Sequence, residues 1–253
     1  MEIITSRKNP EITALRALAK DAAYRREREE FLCDGVKFLA EALHAGCEVT
    51  SILWKTKPDE NLQKAFSCWQ AAAPAELFDY ASPLVNSPGP LFAVRMPKRE
   101  EKRVPEQVMV LENVQDPGNI GTVIRTANAL GIDRVILCGA CADVYSPKTV
   151  RATMGAIFRQ HVAVFTLDEL TAALRQWDMP LYGAVLSERA KSVLEADLSR
   201  CAVAVGSEGR GLTREMIGLC NEEVIIPMNP ESESLNASVA ASILMWEMKR
   251  GAL

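Results

Sequence analysis

The sequence predicts an α/β protein in two parts: a small N-terminal α/β domain, then a larger domain built on a mostly parallel sheet covered on both faces. Three observations predict this. Beyond the middle of the chain, near-continuous Val/Ile/Leu runs alternate with helical patterns, the rhythm of βαβ units. Ahead of them lies a shorter mixed set of strand and helix patterns, about a hundred residues long, an ordinary domain size. Between the two, "RMPKREEKRVPEQ" is charged, Pro-punctuated and without apolar period, as a linker is. The expected boundaries are 1–98, a linker at 99–106, and 107–253. A chain of 253 residues has ample core for both.

In the first part, "PEITALRALAKDAAYRRERE" has helical apolar spacing. "EFLCDGVKFLAEALHAG" reads as a short strand and a helix ended by Gly46, and "VTSILWK" as a strand. "ENLQKAFSCWQAAA" reads as a helix, and "LFAVRMP" closes the region as a strand. In the second part, "VMVLENV" is a buried strand, "NIGTVIRTANALG" a helix stopped by Gly131, and "RVILCG" a strand. "SPKTVRATMGAIFRQ" opens as a helix with Ser146 as cap and Pro147 in first position. Strands "VAVF", "PLYGAVL", "CAVAVGS" and "VIIPM" then alternate with helices starting near Leu167, Leu212 and Leu235.

Composition narrows the class. Apolar content of 48% and charged content of 25% are those of an ordinary soluble globular protein. No apolar stretch approaches a membrane span, and "MEIITSRKNPEITALR" lacks the apolar core of a signal peptide. Seven cysteines in scattered positions suit a reducing compartment better than a disulfide framework. The expectation is a cytoplasmic protein without membrane contact. The net charge of −4 does not advertise a nucleic-acid binder, but it is uneven. Residues 1–103 hold 16 Lys+Arg against 15 Asp+Glu, and residues 104–253 hold 13 against 18. Arg25, Arg26 and Arg28 in "RREREEF" form a local basic cluster, read as an RNA contact or as a solvated helix face.

In open parallel sheets, ligands sit beyond the carboxyl ends of the strands. Three such ends are rich in Gly, Asn, Ser and acidic residues: "ENVQDPGNIGTVIRTANALG", "VGSEGRGLT" and "IIPMNPESESLNASVAASILMWEM". "DPGNIGT" lacks the Gly-Lys-Ser/Thr ending of a phosphate-cradling P-loop. "GSEGRG" has its glycines in the wrong order for the dinucleotide fingerprint. Cys138 and Cys141 form a lone C-x-x-C with no second pair, so a metal site is not expected.

The three stretches resemble the motifs of the SpoU (TrmH) family of SPOUT-class RNA methyltransferases, in order and spacing, over roughly residues 106–250. The first is Asn113-x-x-Asp116-Pro117-x-Asn119-x-Gly121 followed by Arg125. The second is Gly206-x-Glu208-Gly209-x-Gly211, and the third Ile226-Pro227-Met228 with Ser234-Leu235-Asn236-x-Ser238. "FLCDGVKFLAEALHAG" is similar to the small RNA-binding domain that often precedes that catalytic domain. The resemblance implies methyl transfer from S-adenosylmethionine to a ribose 2′-hydroxyl of RNA, by a homodimer whose C-terminal chain is threaded into a deep trefoil knot. A threaded segment must be narrow, which suits Ala237, Ala240 and Ala241 on one helical face. The resemblance places the cofactor against Gly206, Ile226, Met228 and Leu235, with Asn119, Arg125, Glu208, Ser234 and Asn236 as the catalytic set.

Ribosomal RNA is the favoured substrate on this resemblance, with transfer RNA next. A catalytically silent RNA-binding or assembly factor remains the alternative. Guanidinium is effectively always protonated, so Arg125 is read as a clamp on RNA phosphate rather than a base. Its bland alternative is an ion pair with an acid such as Glu208. Glu208 is expected near the start of the helix at Leu212, orienting backbone amides or Arg125, or equally as only a cap. Asn119, Ser234 and Asn236 could also be plain helix caps, Asn119 above all.

Overall fold

Two units organise the chain: Met1–Lys98 with Asp143–Phe158, and Arg99–Ala142 with Arg159–Leu253. The computed structural model describes every residue except Thr56, Lys57, Asp59, Val85, 99–102, Pro230 and 251–253. The expected linker, 99–106, therefore lies partly outside the described residues. The segment Asp143–Phe158, assigned by sequence to the second domain, packs with the first.

The first unit runs β1 (Glu2–Ile3), α1 (Pro10–Lys20), α2 (Ala22–Arg28), β2 (Glu30–Asp34), α3 (Val36–His44), β3 (Val49–Trp54), α4 (Glu60–Lys64), β4 (Trp69–Ala72), α5 (Ala75–Ala81) and β5 (Leu91–Arg95). Its sheet has the order β1-β4-β3-β5-β2, with β4 parallel to β1 and β3, and β5 antiparallel to β3 and β2. Asn9 caps α1, Pro10 opens it, and Ile12, Leu15 and Leu18 form the buried stripe that packs on Leu32, Leu53, Phe78 and Leu91.

Three expectations change here. The long N-terminal helix is two helices, because the Asp21 side chain accepts from Ala23 N and Tyr24 N and starts a new one. "ENLQKAFSCWQAAA" is a short helix and then strand β4, whose pairing with β3 and β1 overrides the helix propensity of Gln and Ala. Arg25 is not a free RNA contact. It is 4% exposed, with Nε and one terminal nitrogen donating to Asp143 Oδ2 (3.0 and 2.6 Å) and the other to Leu18 O (2.6 Å). A buried guanidinium needs such partners, and this one is met within the unit.

The second unit begins with β6 (Gln107–Glu112), α6 (Pro117–Leu130) and β7 (Arg134–Cys138). The chain then returns to the first unit as α7 (Pro147–Ala152) and a 3-10 turn at Ala156–Phe158. The helix foreseen over this stretch stops at Ala152, because Met154 (φ 50°) and Gly155 (φ 90°) take left-handed conformations. Tyr145 and Phe158 pack their rings on the buried Phe31. Back in the second unit follow β8 (His161–Phe165), α8 (Leu167–Trp177), β9 (Leu181–Ala184), β10 (Lys191–Ser192), β11 (Cys201–Val205), α9 (Arg214–Leu219), β12 (Glu222–Ile225) and α10 (Ala237–Lys249). The seven-stranded sheet has the order β10-β12-β9-β11-β6-β7-β8 and is parallel throughout. β6, β7 and β11 are buried on both faces, which explains their unbroken apolar runs. Among the described residues no helix is long and apolar enough to cross a membrane.

Candidate active site

The carboxyl ends of β9, β11 and β12 and the start of α10 surround a cavity of about 440 Å³. Its walls include Gly206, Ile226, Met228 and Leu235, the four residues expected to hold a cofactor, together with Glu208 and Ser234. Asn119, Arg125 and Asn236 do not line it. A second cavity of about 630 Å³ is lined by Asn113, Gln115, Ala140 and again by residues 207–213. The loop after β11 therefore borders both.

That loop is built to be tight. A side-chain carbon at Gly206 would run into the backbone of Gly211 and Leu212, so only glycine fits. The close approach at Gly206 is to the chain's own backbone. Gly211 N donates to Ser207 O (2.8 Å), and Gly211 itself has φ 65°. At the loop's end Thr213 caps α9, its hydroxyl accepting from Met216 N. The helix expected near Leu212 begins at Arg214 with this cap, so Glu208 does not cap it.

Glu208 is instead held from α6. Asp116, not Asn119, caps that helix, its Oδ1 accepting from Asn119 N at 2.8 Å. The Asn119 side chain is thereby released, and its Nδ2 donates to Glu208 Oε1. Arg125, further along α6, is exposed and its side chain has no hydrogen bond or ion pair among the described residues, so the ion pair with Glu208 is not formed. Asn236 is a cap: its Oδ1 accepts from Ser238 N, Val239 N and Ser238 Oγ. Ser234 is exposed at the cavity rim. Ala237 and Ala241 are buried, and Ala240 lines the cavity.

Two residues at the start of the first Gly-rich stretch have roles that sequence reasoning missed. Asn113, with φ 56°, accepts from Ala140 N through Oδ1 (2.7 Å), and Gly139 leaves room for that side chain. Glu112, 4% exposed, accepts from Thr213 N (2.8 Å) and Thr213 Oγ1 (2.6 Å). The available signal was a carboxylate closing the otherwise apolar run "VMVLE". Cys138 and Cys141 are unbridged, and burial pushes both thiols up. Burial likewise takes Cys201 up to about 12, and Cys220 to about 11 with Glu223 and Glu112 adding to it. Thiols so raised are poor nucleophiles at neutral pH.

Residues 106–246 match the family model described as the SpoU rRNA Methylase family. The chain belongs to this family. The Bacillus subtilis protein named 23S rRNA (guanosine(2553)-2'-O)-methyltransferase RlmP is 30% identical over 251 residues, spanning 98% of this chain and 100% of its own length. The crystal structure of AdoMet-bound rRNA methyltransferase from Sinorhizobium meliloti aligns with a TM-score of 0.87 at 25% identity, covering 100% of this chain and 98% of that one. The SpoU methyltransferase AviRb from Streptomyces viridochromogenes, in complex with AdoMet, aligns with a TM-score of 0.84 at 28% identity over 96% and 98% of the two chains. The likeness to RlmP thus extends through the N-terminal unit, beyond the family segment.

Proposed function

We propose that this protein transfers a methyl group from S-adenosylmethionine to a ribose 2′-hydroxyl of RNA, and that the RNA is ribosomal. The observation that carries the reading is the cavity of about 440 Å³, which gathers residues from the second and third SpoU motifs at three strand ends. Whole-length likeness to RlmP and to the Sinorhizobium rRNA methyltransferase supports ribosomal RNA as the substrate.

The residues present fit the cofactor. The volume lies within the ~300–1,000 Å³ usual for small-molecule sites. Ile226, Leu235 and Ala240 supply apolar wall for an adenine, Gly206 and Met228 lie on the backbone turns around it, and Glu208 brings a carboxylate that suits a cation. Bound there, S-adenosylmethionine supplies an electrophilic methyl, so what the protein must add is alignment and a path for the hydroxyl proton. Asn119 fixes the Glu208 carboxylate at the cavity wall, where it can accept from the incoming ribose. Ser234 presents a hydroxyl at the same wall. Arg125, permanently charged and unspent, clamps an RNA phosphate, and the proton leaves to a phosphate oxygen or to water.

The same reading includes a homodimer, a C-terminal knot and a cytoplasmic setting. Exposed Val239 and Trp246 on α10, the latter 51% exposed, support a partner copy on that face. The packing of α10 on α6, β11 and β6, with the small residues Ala237 and Ala241 among its buried positions, supports threading. In the first unit, exposed Arg26 and Arg28 remain as RNA contacts, although Arg28 lies 3.4 Å from Glu30.

Calorimetry with S-adenosylhomocysteine, paired with tritium transfer from labelled cofactor to total RNA, tests the proposal. Binding with label at ribose 2′-oxygens of ribosomal RNA is the expected result. Binding without transfer to any RNA would leave a silent RNA-binding factor and overturn the enzymatic reading.

A further inference from the structure

We propose that Glu112 is a positioning residue for the transfer, its buried carboxylate fastening the loop that forms one wall of the donor cavity. The inference rests on the reading of that cavity as the donor site. Glu112 closes β6, an interior strand of the sheet beside the central β11, and no Lys, Arg or His pairs with it among the described residues. Its partners are both on one residue, 101 positions away: Oε2 accepts from Thr213 N and Oε1 from Thr213 Oγ1.

A carboxylate is a costly group to bury beside a neutral partner, and a merely apolar core would need none. What it achieves is a two-point hold on the end of the 206–213 loop. The hold propagates in both directions. Through its hydroxyl Thr213 caps α9, and through the chain it fixes Leu212 and Gly211, against whose backbone Gly206 is pressed. The Gly211–Ser207 hydrogen bond closes the ring. Loosening Thr213 therefore shifts the whole stretch from Gly206 to Leu212, which lines the cavity of about 440 Å³ and carries Glu208. Asn119 holds the tip of the loop, and Glu112 holds its foot.

The test compares Glu112→Ala, Glu112→Gln, Thr213→Val and Thr213→Ser with the unaltered protein, each kept well below its melting temperature. Two quantities are read: affinity for S-adenosylhomocysteine by calorimetry, and amide hydrogen exchange over 206–213. Loss of a buried hydrogen-bonded partner is expected to weaken affinity about ten-fold in Glu112→Ala and in Thr213→Val. Exchange over 206–213 should rise while β6 and β11 stay protected. Glu112→Gln can accept from Thr213 N and donate to its hydroxyl, and Thr213→Ser keeps both groups, so these two should restore both readouts. The double variant Glu112→Ala/Thr213→Val should lose little more than the worse single one, because both cut the same tie.

A structural role alone predicts something different: a lower melting temperature with unchanged affinity and unchanged exchange over 206–213, and that result overturns the proposal. Should Glu112→Ala fail to fold, Thr213→Val decides by the same two readouts. If the unaltered protein does not bind S-adenosylhomocysteine, the donor-site reading falls, while exchange still reports whether Glu112 fastens the loop.

Discussion

The two loops that border the cavity are built in opposite ways. Residues 206–213 are tied to the sheet at one end by Glu112, to α6 in the middle by Asn119, and to themselves by the Gly211–Ser207 bond. Residues 226–235 hydrogen-bond only one another among the described residues, through Ser232 N to Asn229 O and Glu231 N to Asn229 Oδ1. Their outer part, from Glu231 to Ser234, is exposed. One wall is pre-shaped by hydrogen bonds to the rest of the sheet unit, and the other, with Ile226 and Leu235 half-buried, is not. The difference fits a division of labour: alignment of the reacting groups comes from the fastened wall, and admission of the ligand from the looser one.

Substitutions can break that contrast. The largest effect is expected from Gly206→Ala. The added methyl meets backbone rather than a side chain that could swing aside, so overpacking should destabilise the fold by about 3 kcal/mol. Urea unfolding would register it, and S-adenosylhomocysteine binding should disappear. A stable variant that still binds would show that the wall yields. Next comes Asn119→Ala, which frees the tip of the loop. Loss of a hydrogen bond to a charged group, about 2 kcal/mol, should lower turnover in tritium-transfer assays by more than ten-fold. Donor affinity should stay within a few-fold, and an equal loss of both would mean that Asn119 shapes the donor site itself.

Smaller effects are expected on the looser side. Asn236→Ala removes the cap of α10 and should cost about 1 kcal/mol in unfolding experiments. A loss of turnover far beyond what that destabilisation explains would support Asn236 as a catalytic residue as well as a cap. Ser234→Ala, at an exposed position, should change stability by less than about 0.5 kcal/mol, with any effect confined to turnover. A large stability loss there would contradict the picture of a loosely tied wall.

What could be read in advance follows from the range of the interactions. Strands such as β6, β7 and β11 and helices such as α6 and α10 declare themselves locally, through apolar period, caps and a terminating Gly131. Strand β4 did not, because "WQAA" becomes a strand only beside β3 and β1. The four residues expected to hold a cofactor were legible as motif positions and line one cavity. Their roles were less so. Asn119 looks like a cap until Asp116 is seen to take that place, and Arg25 looks like an exposed cation until Asp143 is found beside it, 118 residues away. Glu112 was hidden for the same reason, since its partner lies 101 residues away in the chain.

The measurement that bears most directly on the donor cavity is a crystal structure with S-adenosylhomocysteine. The account predicts its adenosine between the loop at 206–211 and the turn from Ile226 to Leu235, with Glu208 still held by Asn119. Ligand located elsewhere on the protein, or no ligand at saturating concentration, would contradict it.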